Sequence, residues 1–108
     1  MATVKEIFEQ KIPERVNSNP EKVQGINAIY EFNITGDTGG IWSLDLTEGK
    51  KEVSTGSTGK ARCIITMADN DFVAMVTGNL NPQMAFMGGK LKVQGDMGLA
   101  LKLGNILG

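Results

Sequence analysis

The sequence contains no histidine, one cysteine and one tryptophan among its 108 residues. Histidine is the commonest general base near neutral pH and the commonest transition-metal ligand, so its absence excludes Ser-His and Cys-His catalysis. The single Cys63 cannot form an internal disulfide, which favours a reducing, intracellular compartment. The groups that remain for chemistry are carboxylates, lysines, one thiol and backbone amides.

The chain also lacks an excess of charge of either sign. Eleven basic and twelve acidic side chains give a formal net charge of −1, so no sequence-wide positive field would attract nucleic acid, and no nucleic-acid partner is predicted. No secretory leader or membrane-spanning run is visible. No glycine-rich phosphate motif is present, and neither a cofactor nor a metal is predicted. A chain of this length supports one core, so residues 1–108 are predicted to be a single domain.

The N-terminal segment is predicted to be an amphipathic helix that begins at a capping box of Thr3 and Glu6. Its apolar residues recur at spacings of three and four, namely Val4, Ile7, Phe8 and Ile12. Pro13 removes one backbone hydrogen bond and should kink or break this helix. A second short helix is expected from Asn19-Pro20 to about Gly25.

Alternation of apolar and polar residues predicts strands at 28–35 and 42–47, joined as a hairpin, and a polar edge strand near 52–55. Further strands are expected at 61–67 and 90–94. Helices are expected after Asp69, after Asn81-Pro82 and over 97–107. Runs of strands without strict alternation with helices indicate an α+β fold. Its five-stranded, largely antiparallel sheet would be covered on one face by helices.

Two features of the C-terminal half are unusual. The last predicted helix is apolar on nearly every side, so it either completes the core or acts as a detachable lid. Five of the six methionines lie within 67–97, and methionine either fills gaps in ordinary cores or conforms to varied apolar ligands. Together these features favour an apolar ligand cavity between the sheet and the helices.

Three weaker features each have two interpretations. Asp69 and Asp71 resemble the start of a calcium loop, but the later glycine and glutamate are missing, which favours helix-end carboxylates. Cys63 is expected to be buried and inert, with a reactive thiol as the alternative. Residues 80–108 carry three lysines and one aspartate, which either receive an acidic headgroup or coenzyme A phosphate or are solvated surface charge.

Several motifs together resemble one known family, the sterol carrier protein-2 domain, also called the non-specific lipid-transfer protein. The motifs are Ala28-Ile29-Tyr30-x-Phe32, Gly40-x-Trp42-x-Leu44-Asp45-Leu46, Ile65-Thr66-Met67-Ala68-Asp69-Asn70-Asp71-Phe72, Thr77-Gly78, Asn81-Pro82-Gln83-x-Ala85-Phe86, Gly89-Lys90-Leu91-Lys92 and Gly95-x-Met97-Gly98-Leu99-Ala100-x-Lys102-Leu103. The resemblance implies a five-stranded sheet under helices with a hydrophobic tunnel closed by the C-terminal helix. It implies sterols, fatty acids, fatty acyl-CoA and phospholipids as ligands, and no catalytic centre.

The resemblance also implies which side chains bind lipid. They lie on the inward faces of the strands, on the helices after Asp69 and Asn81, and on the last helix. The implied set is Phe32, Trp42, Leu44, Ile65, Phe72, Met75, Val76, Leu80, Gln83, Met84, Phe86, Met87, Leu91, Met97, Leu99, Leu101, Leu103 and Ile106.

The predicted function is therefore intracellular binding and transfer of lipids, by a monomer that makes transient contact with membrane surfaces. The alternative is a docking or regulatory domain of a larger lipid-metabolising enzyme, in which the same apolar surface meets a protein partner. An acyl-CoA enzyme that uses aspartate or lysine ranks last. The family implies a peroxisomal location. The chain, however, ends in Ile106-Leu107-Gly108 rather than a Ser-Lys-Leu-type signal, so a cytoplasmic location or a larger parent protein stays open.

Overall fold

A five-stranded mixed sheet forms the centre of the computed structural model, which describes residues 3–102 apart from the Lys22 side chain. The strands are β1 (Ile29–Thr35), β2 (Gly40–Asp45), β3 (Glu52–Thr55), β4 (Cys63–Ala68) and β5 (Leu91–Gly95), in the order β3-β2-β1-β4-β5. Strand β1 pairs antiparallel with β2 and parallel with β4, and the outer pairs are antiparallel. The prediction of an α+β fold with a largely antiparallel sheet is confirmed, and the sheet has one parallel pair.

The inner face of the sheet follows the predicted alternation. Tyr30 and Phe32 of β1 are fully buried, and they are neighbours of Leu44 and Trp42 across the β1–β2 pair. On the other side Phe32 is paired with Ile65 of β4, which is also buried. Because side chains two residues apart point to the same face of a strand, these residues form one continuous apolar surface.

The N-terminal helix remains helical through Pro13. It consists of α1 (Val4–Glu6), a π turn (Ile7–Lys11) and α2 (Ile12–Ser18), and the Thr3 hydroxyl accepts the predicted hydrogen bond from the Glu6 amide. In the π turn the Ile12 amide donates to the Ile7 carbonyl, five residues back. This wider turn absorbs the expected disruption at proline, so a break is avoided. The predicted second helix is reduced to a 3-10 turn at Pro20–Lys22.

This N-terminal helix packs on the inner face of the sheet. Its buried residues are Val4, Ile7, Phe8, Ile12 and Val16, none more than 1% exposed. The ring of Phe8 stacks on Trp42 and on Phe72, with centroids 5.0 Å away in each case, and lies 5.2 Å from Phe32. The four rings fill the space between the helix and the sheet.

Three more helices follow the central strands. They are α3 (Asp69–Val76), α4 (Pro82–Met87) and α5 (Met97–Leu101). Helix α4 packs on β5, and α5 packs on β4 and β5. The helix expected over 97–107 ends at Leu101, with Lys102 as its C-cap, and residues 103–107 lie outside the described residues. Within residues 3–102, no helix has the length and apolar character needed to span a bilayer.

The outer face of the sheet is polar and partly covered by the loop after β3. Glu31 is buried there, and its carboxylate accepts hydrogen bonds from the side-chain amide of Asn33 and the hydroxyl of Ser57. The buried hydroxyl of Ser43 donates to the Gly56 carbonyl over 2.7 Å. These bonds satisfy the polar groups that this face buries, so the apolar core stays on the helical side.

The turn between β1 and β2 is tied to the start of α3 by Asp69. One carboxylate oxygen accepts from the Thr38 hydroxyl at 2.8 Å and from the Thr38 amide at 3.1 Å, and the other accepts from the Asn70 amide. A Cβ atom at Gly36, where φ is +105°, would lie 2.6 Å from this carboxylate. The Thr38 and Asn70 hydrogen bonds lower the pKa of Asp69, the Thr38 hydroxyl contributing most.

We predict that Asp69→Asn destabilises the fold at neutral pH and that the difference from wild type shrinks in acid. The lowered pKa of folded Asp69 means that the carboxylate stabilises the fold above its unfolded pKa of about 3.9. That stabilisation is lost as the pH falls through the lower folded pKa. Urea unfolding at neutral and at acidic pH measures the effect, with Asp37→Asn in the same turn as control. A difference that is independent of pH would contradict the assignment.

Candidate functional site

An apolar groove of about 550 Å³ lies between α4 and α5, with β5 as its floor. A volume of this size is in the range of small-molecule sites, roughly 300–1,000 Å³. The floor is formed by Leu91 and Val93, which alternate onto the same face of β5. The groove is lined by Asn81, Pro82, Gln83, Phe86, Met87, Leu91, Val93, Met97, Ala100 and Leu101. Among the described residues, no charged side chain lines it.

The α4 wall is positioned by a helix cap. The Asn81 side-chain oxygen accepts from the Gln83 amide at 2.8 Å and from the Met84 amide at 3.4 Å, and Pro82 occupies the first helical position. Both features start a helix at this residue, and that helix packs on β5. Phe86 and Met87 then face the groove while remaining 45% and 85% exposed.

The α5 wall is positioned by one cap and two long-range hydrogen bonds, of which one runs from the Asp96 amide to the Arg62 carbonyl over 2.8 Å. Asp96 accepts from the amides of Gly98 and Leu99, which starts the helix. The hydroxyl of buried Tyr30, on the central strand, donates to the Leu99 carbonyl over 2.6 Å. Burial of Tyr30, with smaller contributions from Cys63 and Asp96, raises its pKa, so the phenol is a neutral donor at physiological pH. Met97 and Leu101 project from this anchored helix into the groove.

Six residues of the predicted lipid-binding set meet in this groove. They are Gln83, Phe86, Met87, Leu91, Met97 and Leu101. Two of the six, Met87 and Leu101, are among the most exposed large apolar side chains in the described structure, at 85% and 73%. The site therefore opens to solvent between the ends of two short helices.

Seven other residues of that set lie in the packed core and do not line the groove. They are Phe32, Trp42, Leu44, Ile65, Phe72, Met75 and Val76, and none is more than 9% exposed. The physical reason is the ring of Phe8, which occupies the space above the sheet that the sequence interpretation left for a ligand. Contact of these seven with a ligand stays a prediction.

The remaining residues of the set are divided among three places. Met84 is 70% exposed on α4 and lies outside the groove lining. Leu99 is buried under α5, and Leu80 is partly buried against the core. Leu103 and Ile106 lie outside the described residues.

The sequence interpretation missed four lining residues, Asn81, Pro82, Val93 and Ala100. Val93 could have been found from the alternation of β5, because it shares a face with Leu91. Asn81 and Pro82 were interpreted only as the start of a helix, and their proximity to the groove depends on where α4 packs. No sequence signal distinguishes Ala100 from its neighbours.

The thiol and the carboxylates do not form a second site in the part of the chain that the structure describes. Burial, with a smaller contribution from Asp96, raises the pKa of Cys63 to about 11, so its thiol is protonated and shielded. The Thr47 hydroxyl and amide lower the pKa of Asp45. Among residues 3–102, no cluster of cysteine, aspartate or glutamate has the arrangement of a metal site.

A second cavity of about 390 Å³ lies between the 3-10 turns at Pro20–Lys22 and Thr47–Gly49. Glycines and the charged residues Glu21, Lys50 and Lys51 form much of its lining. It lacks the aromatic and thioether side chains of the α4–α5 groove, so the groove is the better candidate for an apolar ligand.

Comparison with known proteins shows the family of the chain. Residues 8–108 match the model of the SCP-2 sterol transfer family, which confirms the resemblance found in the motifs. Hydroxysteroid dehydrogenase-like protein 2 of Xenopus tropicalis is 50% identical over 91 residues, which cover 83% of this chain and 22% of that protein. Sterol carrier protein 2 of Homo sapiens is 46% identical over 99 residues, covering 92% of this chain and 18% of that protein. The chain thus spans about a fifth of these relatives.

The fold is similar to that of a solution NMR structure of sterol carrier protein-2 from Aedes aegypti in complex with the C16 fatty acid palmitate. The TM-score is 0.72 at 27% sequence identity, with 99% of this chain and 96% of that chain covered. The likeness therefore extends over the whole sheet-and-helix arrangement.

We predict that Tyr30→Phe loosens α5 without disturbing the sheet. The substitution removes one buried hydrogen bond, which should lower the free energy of unfolding by about 1 kcal/mol. The Leu99 carbonyl also accepts from the Lys102 amide at 3.1 Å, so it keeps one partner. Hydrogen exchange should become faster at the α5 amides, whereas Ser43→Ala, which removes a buried hydroxyl on the outer face, should leave them unchanged. Unchanged α5 exchange in Tyr30→Phe would refute the anchoring role.

Proposed function

Because the chain belongs to the SCP-2 sterol transfer family, we propose that it binds single lipid molecules and transfers them between membranes or enzymes. The α4–α5 groove would hold the apolar part of the lipid. The observation that carries this proposal is the concave, uncharged lining, in which aromatic and thioether side chains remain uncovered by protein.

Two comparisons support a lipid as the ligand. A protein of similar fold forms a complex with palmitate, and a relative 46% identical to this chain is a sterol carrier protein. Fatty acids and sterols share an extended apolar body with one small polar end. The lining offers apolar contacts from Leu91 and Val93, and it also includes the polar side chains of Asn81 and Gln83 at the start of α4.

Burial of apolar surface would supply most of the affinity. Covering about 300 Å² of ligand at about 25 cal/mol per Å² gives about 7.5 kcal/mol before the cost of association. After that cost, micromolar affinity with broad selectivity is expected. Gln83 is exposed at the groove, and its neutral amide would adjust headgroup preference only modestly.

A carrier needs no catalytic group, and we propose that this chain acts without one. The dehydrogenase-like relative, of which the match covers 22%, supports a second role. In that role the domain would be one part of a larger lipid-metabolising enzyme, and its groove would hold lipid next to the rest of that enzyme. The fatty acyl-CoA ligand, closure by the C-terminal helix, the monomeric state, the single domain over residues 1–108 and the peroxisomal location stay predictions.

We predict that Leu101→Glu weakens binding of a fluorescent fatty acid at least tenfold. Leu101 lines the groove, and a carboxylate there would both replace apolar contact area and repel the carboxylate of the probe. Ile41→Glu is the matched control, because Ile41 is 46% exposed on β2 and does not line the groove. Fluorescence titration should separate the two variants, with circular dichroism showing that both are folded. Equal affinity of Leu101→Glu and wild type for the fatty acid would show that the groove is not the lipid-binding site.

We also predict that protein purified without added ligand carries lipid. A solvated groove lined by Phe86, Met87 and Leu101 leaves apolar surface exposed, and a bound lipid would cover it. Native mass spectrometry should show an adduct whose mass identifies the lipid class, and the adduct should be depleted in Leu101→Glu. Finding no adduct in wild type, together with no rise in melting temperature on adding palmitate, would contradict lipid binding.

A further inference from the structure

The exposed methionines of the described structure lie on two neighbouring helices. Met84 and Met87 of α4 are 70% and 85% exposed, and Met97 of α5 is 45% exposed. Met67 of β4 and Met75 of α3 are buried, at 3% and 1%. Peroxides oxidise methionine to its sulfoxide, and exposure largely decides which thioethers react. An oxidant in solution would therefore reach α4 and α5 before the core.

The single thiol does not compete for that oxidant. Cys63 is fully buried on β4, and burial raises its pKa to about 11, so little of the reactive thiolate is present. In the part of the chain that the structure describes, exposed sulfur is therefore confined to Met84, Met87 and Met97.

Only two of these three methionines line the groove. Met87 contributes to the α4 wall and Met97 to the α5 wall, whereas Met84 lies outside the lining. The described structure thus has two exposed thioethers at the ligand site, one exposed thioether away from it and two buried ones. This arrangement separates an effect of oxidation in the groove from an effect of oxidation elsewhere.

We propose that Met87 and Met97 form a redox-sensitive site that controls lipid binding. Their oxidation by a peroxide lowers the affinity of the groove for lipid, and methionine sulfoxide reductases restore it. The proposal rests on the lipid-binding function proposed above and adds a means of regulating it. The reduced protein would hold lipid, and the oxidised protein would release it.

The reaction balances with hydrogen peroxide as the oxidant. The thioether sulfur attacks one peroxide oxygen, the O–O bond breaks and an S–O bond forms. Methionine loses two electrons, and the second peroxide oxygen leaves as water. In the reverse direction a reductase removes the sulfoxide oxygen as water, and two of its thiols become a disulfide. Because the sulfoxide exists as two epimers, full repair needs both types of reductase.

Sulfoxide formation changes what the groove offers to a lipid. A flexible apolar side chain becomes polar, with an oxygen that accepts hydrogen bonds from water. The side-chain N–H donors of the described lining are those of Asn81 and Gln83, at the start of α4, whereas Met97 shares the α5 wall with Ala100 and Leu101. An acyl chain that covered an oxidised Met97 would leave the sulfoxide oxygen without a side-chain donor on that wall, which disfavours binding.

Peptide mass spectrometry after mild treatment of the full chain with hydrogen peroxide tests the accessibility of the site. Met84, Met87 and Met97 should be oxidised about tenfold faster than Met67 and Met75, or more. A bound acyl chain covers the groove, so saturation with palmitate should slow oxidation of Met87 and Met97 about fivefold. The rate at Met84 should not change.

Fluorescence titration with a fatty-acid probe measures the affinity of each protein before and after peroxide, and circular dichroism checks that treated protein is folded. Treated wild type should bind about tenfold more weakly than untreated wild type. Incubation with both reductases should reverse the loss. The double variant with Met87→Leu and Met97→Leu should show no change on treatment, because leucine has no sulfur. Met84→Leu, the matched control, should lose affinity on treatment like wild type.

Glutamine substitutions test the polarity argument without peroxide. Glutamine, like methionine sulfoxide, is unbranched and carries a polar group near its end. Met97→Gln should weaken binding of the probe about tenfold, because the polar group lies on the groove wall. Met84→Gln should bind the probe like wild type, because Met84 lies outside the lining.

The redox-sensitive site and the lipid-binding function fail in different ways. Conversion of Met87 and Met97 to sulfoxides without a change in probe affinity would overturn the site, and so would full affinity of treated Met84→Leu. A loss of affinity that appears only once Met67 and Met75 are oxidised would assign the effect to damage of the core and would also overturn it. Failure of untreated wild type to bind the probe would contradict the lipid-binding function itself.

Discussion

Phe8 stacks between Trp42 and Phe72 and lies against Phe32, and this contact joins the N-terminal helix, the sheet and α3. Aromatic rings of this size bury large areas and prefer the offset and tilted arrangements observed here. Because close-packed interiors leave few voids, the space above the centre of the sheet is filled by the protein itself. A ligand at that place would have to displace the Phe8 ring.

The groove exists because the covering of the sheet changes from one end to the other. The centre of the sheet lies under the long N-terminal helix, whereas β5, at the edge, is covered by α4 and α5, which are six and five residues long in the described structure. Under these two short helices Val93 is only partly buried. The gap between them leaves Leu91 and Val93 as an apolar floor.

Much of the fold could be predicted from local sequence patterns, and the position of the site only in part. The alternation of apolar and polar residues predicted which side chains of β1 and β2 point inward. The capping residues Asn81 and Asp96 predicted where α4 and α5 begin. The parallel pairing of β1 with β4 is not encoded locally, since it depends on which strand lies beside the centre of the sheet. Phe8 was recognised as apolar, but helical periodicity does not show that its ring occupies the centre of the interior.

Strand β1 connects the packed aromatic core to the α4–α5 groove. Phe32 packs under Phe8, and Tyr30, two residues earlier on the same face, donates its hydroxyl to the Leu99 carbonyl of α5. The core therefore helps to position the groove wall through this directional contact. The side chain of Asp96 accepts the bonds that start α5 within the helix itself, and the Asp96 amide donates to the Arg62 carbonyl over 2.8 Å, next to β4. Neither of these two long-range bonds involves Phe8, Trp42 or Phe72. For the proposed lipid binding this means that α5 could shift while the aromatic stack stays intact.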